Sequence, residues 1–263
     1  LSFLPTSPRR VIAIDWSGAG ADGSKRQPGI WVASWSENGG GDLFGALSRE
    51  EVSFWLCVEA KRDPGLVVGF DFSFSFPAWF VRKHGGSARA IWKATAEHGE
   101  QWLREAAYPF WRNARPVYPE NEPEYRVTER AQPGHPSSTF KLVGDGHVGT
   151  GSVRGMPCLA RLRKAGFSVW PFDEAAFPLA IEIYPSACYP RRTRAAAAAR
   201  AAFLAGTFFS PEQIALAERS PDAFDAAAAL VAMVRHRESF ARLPAARNAT
   251  ERIEGRIWTP PDR

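Results

Sequence analysis

The chain has 263 residues, 33 Lys and Arg against 28 Asp and Glu for a net charge of +5, and 45% hydrophobic residues. That is enough apolar content for a sizeable core and too much for a disordered chain. Ten Trp and eighteen Phe promise heavy aromatic packing, 21 Pro and 22 Gly promise structured loops, and the positive balance favours anionic partners such as nucleic acid without fixing one.

In chain order, residues 11–16 form a strand apolar on both faces that ends at Asp15 and passes into glycines. Residues 27–37 read as a second strand joined to it through the turn-rich GAGADGSKR, and GGGDLFGAL supplies a turn and a short third strand. Ser48 precedes a helix over 49–62 with acids in its first turn and Lys61 and Arg62 in its last, the polarity the helix dipole favours. Residues 66–72 form the next strand, and it too meets an acid, Asp71.

Residues 77–150 break this pattern. They hold a helix around 88–107 and long stretches rich in Pro, Gly, Arg and aromatics, which read as an insertion within one domain, a lid or substrate-binding region. A helix is expected over 156–166, a strand or extended connector over 167–172, and a strand over 179–185 that carries Glu182. An Ala-rich helix and a second helical segment over 211–242 complete the chain.

Cys57, Cys158 and Cys188 are odd in number and widely spaced, which speaks against a disulfide framework or a zinc site. With no apolar leader and no stretch near the roughly 20 apolar residues a membrane helix needs, a cytoplasmic protein without a membrane partner is expected.

Three core-like strands thus carry one acid each: Asp15, Asp71 and Glu182. Alternation in FDFSFSF puts Asp71, Ser73 and Ser75 on one face, as an ordinary half-exposed strand would. Glu182 lies inside LAIEIY, where an unpaired charge costs several kcal/mol, so it needs a partner. Ser220 can cap a helix that starts at Pro221, placing Asp222 in its first turn and Asp225 one turn on, followed on that side by Ala229 and Ala232, small enough for close approach to a sheet. Asp222 also suits a dipole-favoured N-terminal acid. One role that uses all of these carboxylates is to bind Mg²⁺ or Mn²⁺, which offsets their repulsion and leaves positions for water and phosphate oxygen.

The segments IAIDWSG, GFDFSFSFP, GTGSVRGMP…VWPFD, IEIYP and DAFDAAAAL resemble the domain of unknown function 429 family, predicted ribonuclease H-like nucleases, over roughly 11–80 and 150–235. The late DAFDAA is also similar to the D-x-x-D-A pattern of RuvC-type resolvases. The resemblance implies an α/β fold with a mixed five-stranded sheet flanked by helices and a long insertion after the fourth strand. It implies Asp15 as central metal ligand, Asp71 or Glu182 as the second, and Asp225 helped by Asp222 as the closing ligand, in a metal-dependent nuclease of DNA or RNA.

Ser17, Gly18, Ser73 and Ser152 are candidates to meet substrate. The Gly-rich run 144–157 can cradle phosphate, with Lys141 and Arg154 adding charge, or be a lid loop. His135 and His147 lack metal-ligand spacing and read as surface residues or a proton carrier. Two other classes remain open: a nucleotide-binding phosphotransferase or ATPase of the actin and hexokinase type, and a non-catalytic nucleic-acid-binding module that grips single strands with Trp and Arg of the insertion.

Overall fold

The computed structural model describes residues 7–16, 29–45, 48–132, 134, 136–144 and 148–261. Ser17, Gly18, His135 and His147 lie outside the described residues. The chain folds as an α/β protein with a mixed seven-stranded sheet flanked by helices.

Strands β1 (Arg10–Asp15), β2 (Trp31–Ser36) and β3 (Gly40–Gly45) form an antiparallel meander, with Ala13 opposite Ala33 and Asp15 opposite Trp31. Helix α1 (Arg49–Arg62) then crosses to β4 (Leu66–Phe70), which pairs parallel with β1, Ile14 beside Phe70. Ser48 fixes the start of α1 with a reciprocal cap: its hydroxyl accepts the Glu51 N–H at 3.2 Å and its own N–H donates to the Glu51 carboxylate at 2.7 Å.

The insertion holds α2 (Ala78–Lys83), α3 (Ala88–Glu105) and α4 (Val127–Ala131), and α5 (Gly149–Lys164) leads out of it. Strand β5 (Ser168–Val169) follows, then β6 (Leu179–Ile183), parallel to β4 with Phe70 beside Glu182. After α6 (Ala197–Leu204), α7 (Pro211–Arg219), α8 (Pro221–Arg235) and α9 (Glu251–Glu254), β7 (Ile257–Trp258) closes the sheet. The order is β3-β2-β1-β4-β6, and β5 and β7 share the remaining edge of β6, β5 against Leu179 and Ala180 and β7 against Glu182 and Ile183.

The sheet has two covered faces, and residue parity sorts each strand between them. Ile12, Ile14, Val68, Phe70 and Ala180 pack in the core under α1, α3 and α5. Val11, Ala13, Val67, Leu179 and Ile181 pack against α8 and its neighbours, where Ala226, Ala229 and Ala232 keep the helix close to β1 and β2.

Several expectations change. The sheet has seven strands rather than five, because β5 and β7 are two-residue strands too short for an alternation to show. Helix α5 begins at Gly149, two turns before the expected 156, so GTGSVRG is helix and not loop; Gly155 is required there because a Cβ would sit 2.8 Å from the Phe72 ring. The segment 211–242 is two helices broken at Ser220 and a 3-10 turn over Arg237–Arg242. The Ala-rich helix is only Ala197–Leu204, preceded by the 3-10 turn Thr193–Ala195. Phe80, Trp92, Phe110 and Phe140 of the insertion pack in the same core as α1, α3 and α5.

Among the described residues no helix is long and apolar enough to cross a membrane.

Candidate metal centre

A cleft of roughly 380 Å³ opens at the carboxyl ends of β1, β4 and β6 and is lined by Asp15, Asp71, Glu182 and Asp225 among others. In open α/β sheets this end is where the loops leave room for ligands.

Asp15 continues the parity of Val11 and Ala13 and therefore faces α8. Asp71 follows β4 with the parity of Val67, and its N–H donates to the Ile14 carbonyl at 2.9 Å, which ties the two acid-bearing strand ends together. Asp222 and Asp225 arrive from the first two turns of α8, whose start is fixed by the Ser220 hydroxyl accepting the Ala223 N–H at 3.1 Å, with Pro221 in the first position. Carboxylate oxygens of Asp15, Asp222 and Asp225 lie within 4.8 Å of one another; Asp15 is half-buried, Asp222 exposed and Asp225 buried.

The electrostatics of this arrangement are those of crowded like charge. Burial pushes the Asp15 carboxyl well above the usual range, and Asp71, Asp225 and Asp222 push it further. Asp71 is raised in the same way, first by burial and then by Asp225 and Glu182. Burial also raises Asp225, against which Arg194 and the Tyr189 hydroxyl pull down.

The resident counter-cation is Arg194, which sequence reasoning missed. Its Nε donates to Asp225 at 2.6 Å and its terminal nitrogen to Asp222 at 2.8 Å, while Tyr189 Oη donates to the other Asp225 oxygen at 2.7 Å. The sequence signal was a run of arginines, RRTR, that follows the strand carrying Glu182 after seven intervening residues.

Glu182 lines the cleft but points to the opposite face from Asp15. It has the parity of Ala180, which packs under α5, and it is 2% exposed. Arg126 grips both its oxygens, at 2.9 and 2.5 Å, and the Phe74 N–H donates to one of them at 2.9 Å. Arg126 is fully buried, and it also binds Glu129 at 2.8 Å, the Ser73 hydroxyl at 3.0 Å and the Glu254 carbonyl at 3.0 Å. The partner that a buried Glu182 needed is thus an arginine from the insertion. Of the two candidates for second ligand, Asp71 is the acid on the face of Asp15, and Glu182 is committed to an ion pair.

The substrate-binding candidates divide as well. Ser73 lines the cleft. Ser152 is buried and structural, accepting the Ser73 N–H and donating to the Val148 carbonyl, both at 2.9 Å. Arg154 does not line the cleft; it forms a two-point pair with Glu100 at 2.6 and 2.8 Å. Lys141 does not line it either, and its Nζ sits 5.8 Å from the centre of the Trp111 ring.

The donor set fits a hard divalent cation. The oxygens of Asp15, Asp222 and Asp225 span little more than the about 4.2 Å between opposite ligands of a Mg²⁺ octahedron with bonds near 2.1 Å, and Arg194 supplies positive charge to two of these acids. No family model matches the chain, and comparison with curated proteins and with solved structures finds no match.

Proposed function

We propose that this chain is a divalent-metal-dependent phosphodiesterase, a nuclease of the ribonuclease H-like class acting on DNA or RNA. The observation that carries it is the convergence of Asp15, Asp71, Asp222 and Asp225, from two parallel strands and one helix, on one cleft at the strands' carboxyl ends. A mixed sheet flanked by helices, with the insertion after β4, is in line with what the resemblance implies, which supports the class.

Asp15 and Asp71 are the ligands the cleft holds most rigidly, since both sit at ends of central strands. Asp225 and Asp222 close the set from α8, and Arg194 holds those two together. Bound Mg²⁺ or Mn²⁺ supplies charge neutralisation and an activated water at such a centre. The raised pKa values of Asp15 and Asp71 mean that protons compete with the cation, so its binding strengthens as pH rises through their titration.

The test is cleavage of labelled single-stranded, duplex, hybrid and four-way-junction nucleic acids with Mg²⁺, Mn²⁺ or EDTA. Wild type is expected to cut at least one substrate in either metal, and Asp15→Asn and Asp225→Asn to lose at least about a hundredfold of that rate. Cutting that survives EDTA, or that persists in Asp15→Asn, would overturn the assignment.

A further inference from the structure

The cleft has a second wall that the carboxylates do not form. Trp16 follows Asp15 and so turns to the other face of the sheet, where its ring packs edge-on against Phe70 at 5.7 Å and beside Phe72 at 5.1 Å. It lines the cleft, is 6% exposed, and its buried Nε1–H has no hydrogen-bond partner among the described residues. A buried donor left unmade costs about 1–3 kcal/mol, and a buried Trp N–H ordinarily finds an acceptor.

Helix α5, 16 residues long, begins on the same cleft: Val148 and Gly151 both line it. Among the described residues no side chain caps this helix. The N–H groups of its first turn have no acceptor inside the helix; that of Gly149 goes to the Lys141 carbonyl at 3.0 Å and that of Ser152 to the Val148 carbonyl at 2.9 Å. The positive end of the helix dipole therefore opens where Gly151 meets the cleft.

We infer that Trp16 Nε1–H and the first turn of α5 form an anion subsite that receives a phosphate group of the substrate and holds it beside the carboxylate centre. The cationic side chain on this wall, Arg126, is spent on Glu182 and Glu129, so the subsite offers neutral donors. Neutral donors next to carboxylates suit the single negative charge of a phosphodiester better than the double charge of a free phosphate. The inference rests on the phosphodiesterase assignment for the identity of the bound group, not for the existence of the donors.

The test is a titration of the full chain, ¹⁵N-labelled and in EDTA, with dimethyl phosphate, beside inorganic phosphate. The indole cross-peak that is missing from Trp16→Phe, and the Gly151 amide, should both shift saturably with the diester. Trp16→Phe should weaken it about tenfold, the loss of one hydrogen bond to a charged acceptor. Val148→Asp, which puts a carboxylate at the helix start without touching Trp16, should weaken it by more than about tenfold while leaving the fold intact. Should the Gly151 amide show no saturable shift, or should Val148→Asp bind the diester as wild type does, the subsite is refuted. Binding of Mn²⁺ by electron paramagnetic resonance on the same protein keeps the two ideas separable: Mn²⁺ binding without a diester shift removes only the subsite, and the reverse removes only the metal centre.

Discussion

Asp15 and Glu182 both sit at the carboxyl ends of apolar strands in one sheet, and parity alone gives them different chemistry. Asp15 faces α8 and meets other acids; Glu182 faces the insertion and meets Arg126. Their substitutions should therefore act in opposite directions. The folded-state pKa of Asp15 lies above its unfolded value, so its contribution favours the folded state at low pH and is lost as pH rises through the raised pKa. In EDTA, Asp15→Asn is expected to raise the melting temperature at pH 8, by about 2–4 °C for each kcal/mol of repulsion relieved, and to flatten the decline of stability that sets in as pH rises above the unfolded carboxylate range. A lower melting temperature at pH 8 would mean that the carboxylate has a stabilising partner. Glu182→Gln breaks a buried pair and leaves Arg126 short of countercharge, at a cost of about 3–5 kcal/mol in urea unfolding, with Mn²⁺ affinity nearly unchanged. A large loss of Mn²⁺ affinity with stability intact would restore Glu182 as a ligand.

At the scale of elements, α5 and α8 press the two faces of the sheet toward the cleft from opposite sides. Gly155 is the contact point of α5: a Cβ there would lie 2.8 Å from three atoms of the Phe72 ring, and Phe72 lines the cleft. Gly155→Ala should thus destabilise by about 1–3 kcal/mol through overpacking, against the gain of up to about 1 kcal/mol that Ala brings to a helix interior. A more stable variant in urea would show the contact to be slack. These elements also differ in how far the sequence disclosed them. Strands β1 and β4, the capped helix α1 and the Ser220–Pro221 start of α8 are legible because apolar runs and caps are local signals. Helix α5 hid its first two turns because glycines that serve close packing read locally as loop. The face that Glu182 takes depends on the β4–β6 register, and Arg126 comes from 56 residues away, so neither has a local signature. Arg194 was hidden for the same reason, among arginines that look alike until one of them reaches Asp225.

Across the whole molecule the last described residues hold the insertion to the sheet. One Glu254 carboxylate oxygen accepts the Ala78 N–H at 2.8 Å and the other the Val127 N–H at 2.7 Å, so one side chain serves the starts of α2 and α4. The Glu254 carbonyl accepts from Arg126, the Ile253 carbonyl from the Ser75 hydroxyl at 2.7 Å, and β7 zips onto β6 beside Glu182, burying Ile257 and Trp258. The ion pair, the insertion and the sheet edge are thus joined through a stretch of about ten residues. Ending the chain before Thr250 would remove two large buried apolar side chains, whose burial is worth roughly 1.5–3 kcal/mol each, and orphan two helix-start N–H groups. That loss approaches the whole stability of an ordinary domain, so the shortened chain should unfold as a unit rather than fray. The intact chain should show the same cooperativity: near-ultraviolet dichroism, to which the aromatic cluster of the insertion contributes, and far-ultraviolet dichroism, which reports the helices and sheet, should give coincident urea transitions. If the near-ultraviolet transition came first, the insertion would be an independently melting lid, and the contacts through Glu254 would be too weak to couple it to the cleft.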